Sequence, residues 1–152
     1  MIHYNVQGVG MPAIAPLQVE RWIEQVAASH GKRVGEVNYI FTDDAGILDI
    51  NRQFLRHDYY TDIITFDYTE GDILGGDIYI SLDTVDSNAK LVGATYDEEL
   101  HRVIIHGILH LCGINDKGPG EREIMEAAED KALEQFIMHN SQCIINNLEV
   151  NQ

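Results

Sequence analysis

Apolar residues at Leu17, Val19, Trp22, Ile23, Val26 and Ala27 recur at roughly helical spacing. They predict a first helix that opens at Pro16 or Leu17, after a short loop bracketed by Pro12 and Pro16, and stops by Gly31. The pattern then changes period. Val37–Asp43 alternates and is rich in β-branched and aromatic residues, as a half-buried strand requires. Asp43 or Asp44 caps a second helix with Ile47, Ile50 and Phe54 on one face and Leu48 and Leu55 alongside, ending near His57. Two more strands are predicted over Asp62–Tyr68 and Asp77–Asp83, joined by the turn-rich run TEGDILGG. Helices follow over Thr84–Val92 and Tyr96–Cys112, the second acidic at its start through Asp97, Glu98 and Glu99, which suits the positive helix end. Gly113 stops that helix, Lys117–Gly120 forms a tight loop, and a last helix begins near Glu121 with a core stripe of Ile124, Ala128, Ala132 and Phe136, flanked by Met125, Leu133 and Ile137.

Helices and strands mix without a regular βα repeat, so the expected fold class is α+β: a small mixed sheet packed against several helices. With no repeat, linker or low-complexity tract, residues 1–152 read as one domain. A hydrophobic share of 45% against 23% charged residues is globular.

Charge narrows the function. Ten Lys and Arg face 25 Asp and Glu, for a formal net charge of −15. A domain held to nucleic acid by a broad basic surface is excluded, so a polyanionic partner has to be met at a small local site, where a metal ion can supply positive charge. No apolar run reaches the ~20 residues of a membrane span. The N-terminus MIHYNVQGVG has no basic, apolar leader pattern, and Cys112 and Cys143 are too few for a disulfide scaffold. The expected location is the cytoplasm, with no membrane partner.

The segment from Ile105 to Glu121 carries the chemistry. His106 and His110 are i and i+4, on one face of a helix and one turn apart, a spacing that lets two imidazoles reach one ion. Ile104, Ile105, Ile108, Leu109 and Leu111 surround them, so the helix is buried and central and its histidines need partners. Gly113 turns the chain, and a reversal there brings the Asp116 carboxylate back toward the same ion. Two simply hydrogen-bonded histidines would show the same spacing. Gly107 stands where HExxH peptidases place their general base, which disfavours proteolysis. Asp62 is a candidate outer acceptor for a ligand histidine, or a turn cap. His101 lies about 140° around the helix from His106 and is not expected to be a ligand. Cys112 is expected to pack in the core.

HGILHLCGIND resembles the signature H-G-x-L-H-L-x-G-Y-D-H of the YbeY family, with matches at His106, Gly107, Leu109, His110, Leu111 and Gly113. NRQFLRHDYYTDIITF (Asn51–Phe66) is similar to that family's N-x-x-[FY]-R-x-x-D-x-x-T-[DN]-V-L-S-F, and GDIYIS (Gly76–Ser81) to its G-D-I-x-I-S. The blocks stand in the family's order and cover roughly residues 50–130, while the N-terminal third matches only in its helix–strand pattern.

The resemblance implies a metal-dependent endoribonuclease that acts on single-stranded RNA in ribosomal RNA maturation, with zinc or a similar divalent ion held by His106, His110 and a third ligand. Asp116 occupies the position of the family's third histidine, and Asn115 that of its aspartate. A carboxylate still binds zinc, at ~2.0–2.2 Å. It lowers the charge of the centre, weakens the ion as an electrophile and shifts preference toward a harder metal such as manganese. The family's arginine falls on Leu55; Arg56, or Arg52 one turn before it, is the candidate cation for the scissile phosphate. The same pair would also suit an ordinary solvated helix face. A ribosomal protein or GTPase is the expected partner that localises so acidic a protein on its RNA, and DNA is not expected. Two other readings stay open at this point: a non-catalytic ribosome-assembly factor whose metal is structural, and a metal hydrolase of a peptide or small phosphoester.

Overall fold

Alternation along β2 (Arg33–Thr42) and β4 (Ile73–Ser81) sends Val37, Tyr39, Phe41, Leu74, Ile78 and Ile80 to one face, where each is fully buried. The structure, a computed structural model, describes residues 1–55 and 61–150, with side chains described as far as Phe136. β1 (Ile2–Val6) pairs parallel with β2, β2 parallel with β4, and β4 antiparallel with β3 (Ile63–Asp67), giving the order β1-β2-β4-β3. This is the small mixed sheet expected of an α+β domain. α1 (Pro16–Ser29), α4 (Tyr96–Leu111) and α5 (Glu121–Val150) share the core with its buried face.

α4 is the central helix: Leu100, Val103, Ile104, Ile105, Ile108, Leu109 and Leu111 are all buried. Two side-chain hydrogen bonds tie the layers together. Tyr39 Oη donates to Ile104 O at 2.7 Å, joining sheet to α4, and Trp22 Nε1 donates to Ala132 O at 2.7 Å, joining α1 to α5. α3 (Leu82–Val92) ends at Gly93, whose φ of 71° is the left-handed helix stop that glycine supplies without strain. Among the described residues, no helix is long and apolar enough to cross a membrane.

Several expectations change. β1 has no counterpart among the predicted elements; Ile2, Tyr4 and Val6 alternate, but too briefly to stand out. Ile73–Gly76, expected as part of a turn, is strand. A Cβ on Gly76 would come within 2.6 Å of Phe66 O, so this glycine permits close strand approach rather than a bend. α2 (Asp44–Ile50), capped by Asp43 through a 2.8 Å bond from Gly46 N, runs into a π-helical turn at Asn51–Leu55. The wider turn breaks the expected stripe: Ile47 is buried, whereas Phe54 is 61% exposed. The expected end near His57 lies outside the described residues. On α5, Ala128, Ala132 and Phe136 pack on the core as the stripe predicts, whereas Ile124 faces solvent and Met125 takes the buried place in the first turn. Ile137 lies outside the described side chains. Cys112 packs half-buried against the core, its thiol pushed up to about 11 by burial against the opposing charge of Lys32.

Candidate metal centre

Thr95 caps α4 by accepting from Glu98 N at 3.1 Å, and the acidic first turn complements the helix end. At the other end Gly113, with φ 101°, lets the chain reverse. Gly113 N donates to His110 O at 3.0 Å and Ile114 N to Leu109 O at 3.1 Å, closing the helix while Ile114 packs against the core. The reversal returns Asp116 to the exposed side of α4. There its Oδ2 lies 3.4 Å from His106 Nε2, with side chains 32% and 20% exposed.

The other nitrogen of His106 is fixed from α5. Nδ1 lies 2.7 Å from Glu129 Oε2, and because an ionised carboxylate only accepts, Nδ1 carries the proton, so that in the neutral imidazole Nε2 presents its lone pair. Two donors on one tetrahedral ion, at ~2.0–2.2 Å each, stand about 3.3 Å apart. A charge-assisted hydrogen bond would instead close to about 2.7–2.9 Å. The observed 3.4 Å matches the spacing of two ligands of one ion and also lies within ion-pair reach.

His110 follows one turn along, half-buried, with no side-chain hydrogen bond or ion pair to any described residue. Its imidazole does not close the set: among the described residues no three His, Cys, Asp or Glu side chains are already gathered to hold a metal. His106 and Asp116 thus form a gathered pair, with His110 adjacent on the same helix.

A cleft of about 1030 Å³ opens beside this pair, lined by Asp62, His101, Arg102, His106, Asp116 and Glu129 among others. His101 also lines the cleft, its Nδ1 2.7 Å from Asp97 O and its ring stacked on Phe136 with centroids 4.8 Å apart. Burial pulls the His106 pKa down, but the hydrogen bond and charge of Glu129, with Asp116 and Asp62, outweigh it and leave the pKa raised. Burial likewise raises the Asp62 carboxyl, with the His106 charge opposing. Glu99 is raised by burial against the pull of Arg102.

The outer acceptor for His106 is Glu129, rather than the candidate Asp62. Arg102 Nη1 holds Glu129 Oε1 at 2.9 Å and its Nη2 holds Asp130 at 2.7 Å. Neither Glu129 nor Arg102 was singled out by motif spacing. The signal for Glu129 was an acid set within the apolar stripe of α5, where a charge needs a partner. The candidate phosphate cations fare differently. Arg52 is exposed on the π-helical turn and is not among the described residues lining the cleft, and Arg56 lies outside the described residues.

Comparison with known proteins bears on most of the chain. A family model described as Endoribonuclease YbeY matches residues 12–137. Proteins named Endoribonuclease YbeY from Bacteroides thetaiotaomicron and Phocaeicola vulgatus are 67% identical over 132 residues and 68% over 133. The matches cover 87% and 88% of this chain and 96% of each relative. A third relative of that name, from Porphyromonas gingivalis, is 54% identical over 132 residues, 87% of either chain. A solution structure of a Thermotoga maritima protein superposes with a TM-score of 0.67 at 30% identity, covering 93% of both chains. On its sequence and its fold together, the chain belongs to the endoribonuclease YbeY family.

Proposed function

We propose that the protein is a metal-dependent endoribonuclease that cleaves single-stranded RNA, with ribosomal RNA as the substrate class. The observation that carries the reading is the paired geometry of His106: Nδ1 held by Glu129 at 2.7 Å, Nε2 facing Asp116 at 3.4 Å.

His106 and Asp116 would hold the ion, zinc being the first choice, with His110 turning in from the same helix face as third ligand. A divalent ion there supplies Lewis acidity toward a phosphoryl oxygen. The chain's own groups do the rest. Glu129 keeps the His106 proton on Nδ1. Asp116 brings a negative charge where the family pattern has a neutral histidine, so this centre is a milder electrophile. Asp62 keeps its proton to higher pH than a solvated carboxyl, which suits it to hold or return a proton at the cleft wall. Arg56 or Arg52 remains the proposed phosphate cation, since the guanidinium of Arg102 is spent on Glu129 and Asp130.

The net charge of −15 supports a division of labour in which the local centre grips the scissile phosphate and a ribosomal protein or GTPase brings the RNA. Such a substrate supports a cytoplasmic location. Peptide hydrolysis is disfavoured because Gly107 offers no general base.

The test joins metal content to cleavage. Wild type, His110→Ala and Asp116→Ala are purified without added metal, analysed by elemental mass spectrometry and assayed on single-stranded RNA. One metal per chain, lost together with cleavage in both variants, is the expected result. Metal retained in Asp116→Ala removes Asp116 from the ligand set. Metal bound without cleavage by wild type overturns the nuclease reading in favour of a structural metal.

A further inference from the structure

We infer that Glu129 is a positioning residue of the metal centre: clamped by Arg102, it fixes the tautomer and aim of His106 and thereby sets how tightly the centre binds a divalent ion. The inference rests on the proposed function only in taking His106 as a ligand.

Glu129 is 6% exposed, on the face of α5 that packs against α4. A carboxylate this buried requires compensation, and both oxygens receive it: Oε2 from His106 Nδ1 at 2.7 Å and Oε1 from Arg102 Nη1 at 2.9 Å. With both oxygens engaged, Glu129 is placed to orient a ligand rather than to be one. Arg102 is one helical turn before His106 on α4, so its guanidinium and the imidazole reach the same carboxylate side by side. Its second arm takes Asp130, adjacent to Glu129, at 2.7 Å. The chain Asp130–Arg102–Glu129–His106 thus crosses repeatedly between α4 and α5 and ends on the nitrogen that fixes which lone pair faces Asp116. A carboxylate behind a ligand imidazole fixes ring orientation and raises ligand basicity, and its loss typically weakens metal binding ~10–100-fold.

The same contacts could do no more than staple α5 to α4, and the test separates the two roles. Wild type, Glu129→Gln, Glu129→Ala and Arg102→Ala are prepared metal-free. Each is checked by circular dichroism and thermal unfolding, then titrated with zinc against a chromophoric chelator. The expected order is a zinc dissociation constant weakened ~10–100-fold in Glu129→Ala and less than about tenfold in Glu129→Gln, whose amide oxygen still accepts from Nδ1, with Arg102→Ala between them. A staple alone would lower the unfolding midpoints and leave the zinc constants unchanged, which overturns the inference. If Glu129→Ala does not fold, Glu129→Asp replaces it, keeping the charge but withdrawing it by one methylene. About tenfold weaker zinc binding supports the positioning role and an unchanged constant overturns it. Wild type that binds no zinc overturns the inference together with the ligand assignment beneath it; wild type that binds zinc equally to Glu129→Ala overturns the inference alone.

Discussion

Ile78 Cδ1 lies where a Cβ on Gly107 would come within 2.9 Å of it, and Ile63 Cδ1 would be 3.3 Å away. α4 therefore seats closely on β3 and β4 at Gly107, where an added Cβ would have to push aside the ends of the Ile78 and Ile63 side chains. Gly107→Ala gains helix propensity of about 1 kcal/mol and loses about 1–3 kcal/mol to overpacking. The expected net is a loss of about 1 kcal/mol in chemical denaturation. Gly107→Glu, which recreates the HExxH pattern, is expected not to fold to the native state and to show no peptidase activity on casein.

The long periodic elements were legible from sequence because each buries one continuous face: α1 from Val19 to Ala27, α4 and the strand residues Val37–Phe41 and Ile78–Ile80 follow their periods closely, while Leu17, expected in the α1 stripe, is exposed in its first turn. Elements shaped by contact with other chain segments were not. β1 is five residues long and gains its strand character from parallel pairing with β2, which local alternation cannot report. Gly75 and Gly76 read as a turn because glycine's two uses, bending and close approach, look alike in sequence. The site divides the same way. His106 and Asp116 were legible because a helix period and one glycine reversal link them, whereas Arg102 and Glu129 meet only through the packing of α5 on α4. Asp62, a candidate acceptor or turn cap by its spacing, is not the hydrogen-bond partner of His106 because spacing ranks acids by proximity to a motif and not by which helix covers it.

Asp116 is the position at which charge and coordination can be varied separately. Asp116→Asn removes the anion and a strong ligand, and is expected to lower metal occupancy below half by elemental analysis. Asp116→His restores the three-histidine pattern; it is expected to keep the metal and to move the acid limb of the cleavage pH profile to lower pH, because one negative charge leaves the centre. An unchanged profile in a fully metallated Asp116→His would show that Asp116 does not tune the ion.

The raised pKa of His106 carries a stability consequence for the metal-free protein. A group held more basic in the fold than its ordinary 6.5 stabilises the fold fully below that value, and the contribution is lost as pH rises through the folded value. Asp62 and Glu99 are raised as well, so they act with the same sign but in the acid range, above their ordinary 3.8 and 4.5. The metal-free unfolding midpoint is expected to fall as pH rises above 6.5, and to fall less in His106→Gln. Zinc affinity is expected to move oppositely, strengthening with pH as the imidazole gives up its proton. Equal pH slopes in wild type and His106→Gln would assign the effect to other groups.

Trp22 links α1 to the helix that carries Glu129. It is fully buried, donates to Ala132 O at 2.7 Å and packs on Phe136 with centroids 4.6 Å apart. Trp22→Phe keeps an aromatic ring but removes the indole donor from the Ala132 carbonyl, which keeps its helical bond, and leaves part of the site empty, at an expected cost of about 1–3 kcal/mol. Because this is the single tryptophan, unfolding is followed by circular dichroism in urea. A loss below about 0.5 kcal/mol would mean that α5 relaxes to refill the site.

RNA affinity is the remaining quantity that the charge distribution constrains. For single strands the slope of log K against log salt is about −0.7 per phosphate neutralised. A chain with 25 acidic and 10 basic residues, whose cleft arginines Arg102 and Arg122 are already paired, the first with Glu129 and Asp130 and the second with Glu126, has few cations to release counterions. One or two phosphate contacts give an expected slope between about −0.7 and −1.4, and a dissociation constant weaker than about 10⁻⁶ M near 0.2 M salt. Fluorescence anisotropy with a labelled single-stranded RNA and catalytically silent protein, the metal removed, measures both. Adding zinc should tighten binding through one local contact and steepen the slope by no more than about 0.7, since a metal centre grips one phosphate rather than a strand. A slope steeper than about −3 would instead mean an extended basic track that the acidic composition argues against, and the protein would then need no partner to hold its RNA.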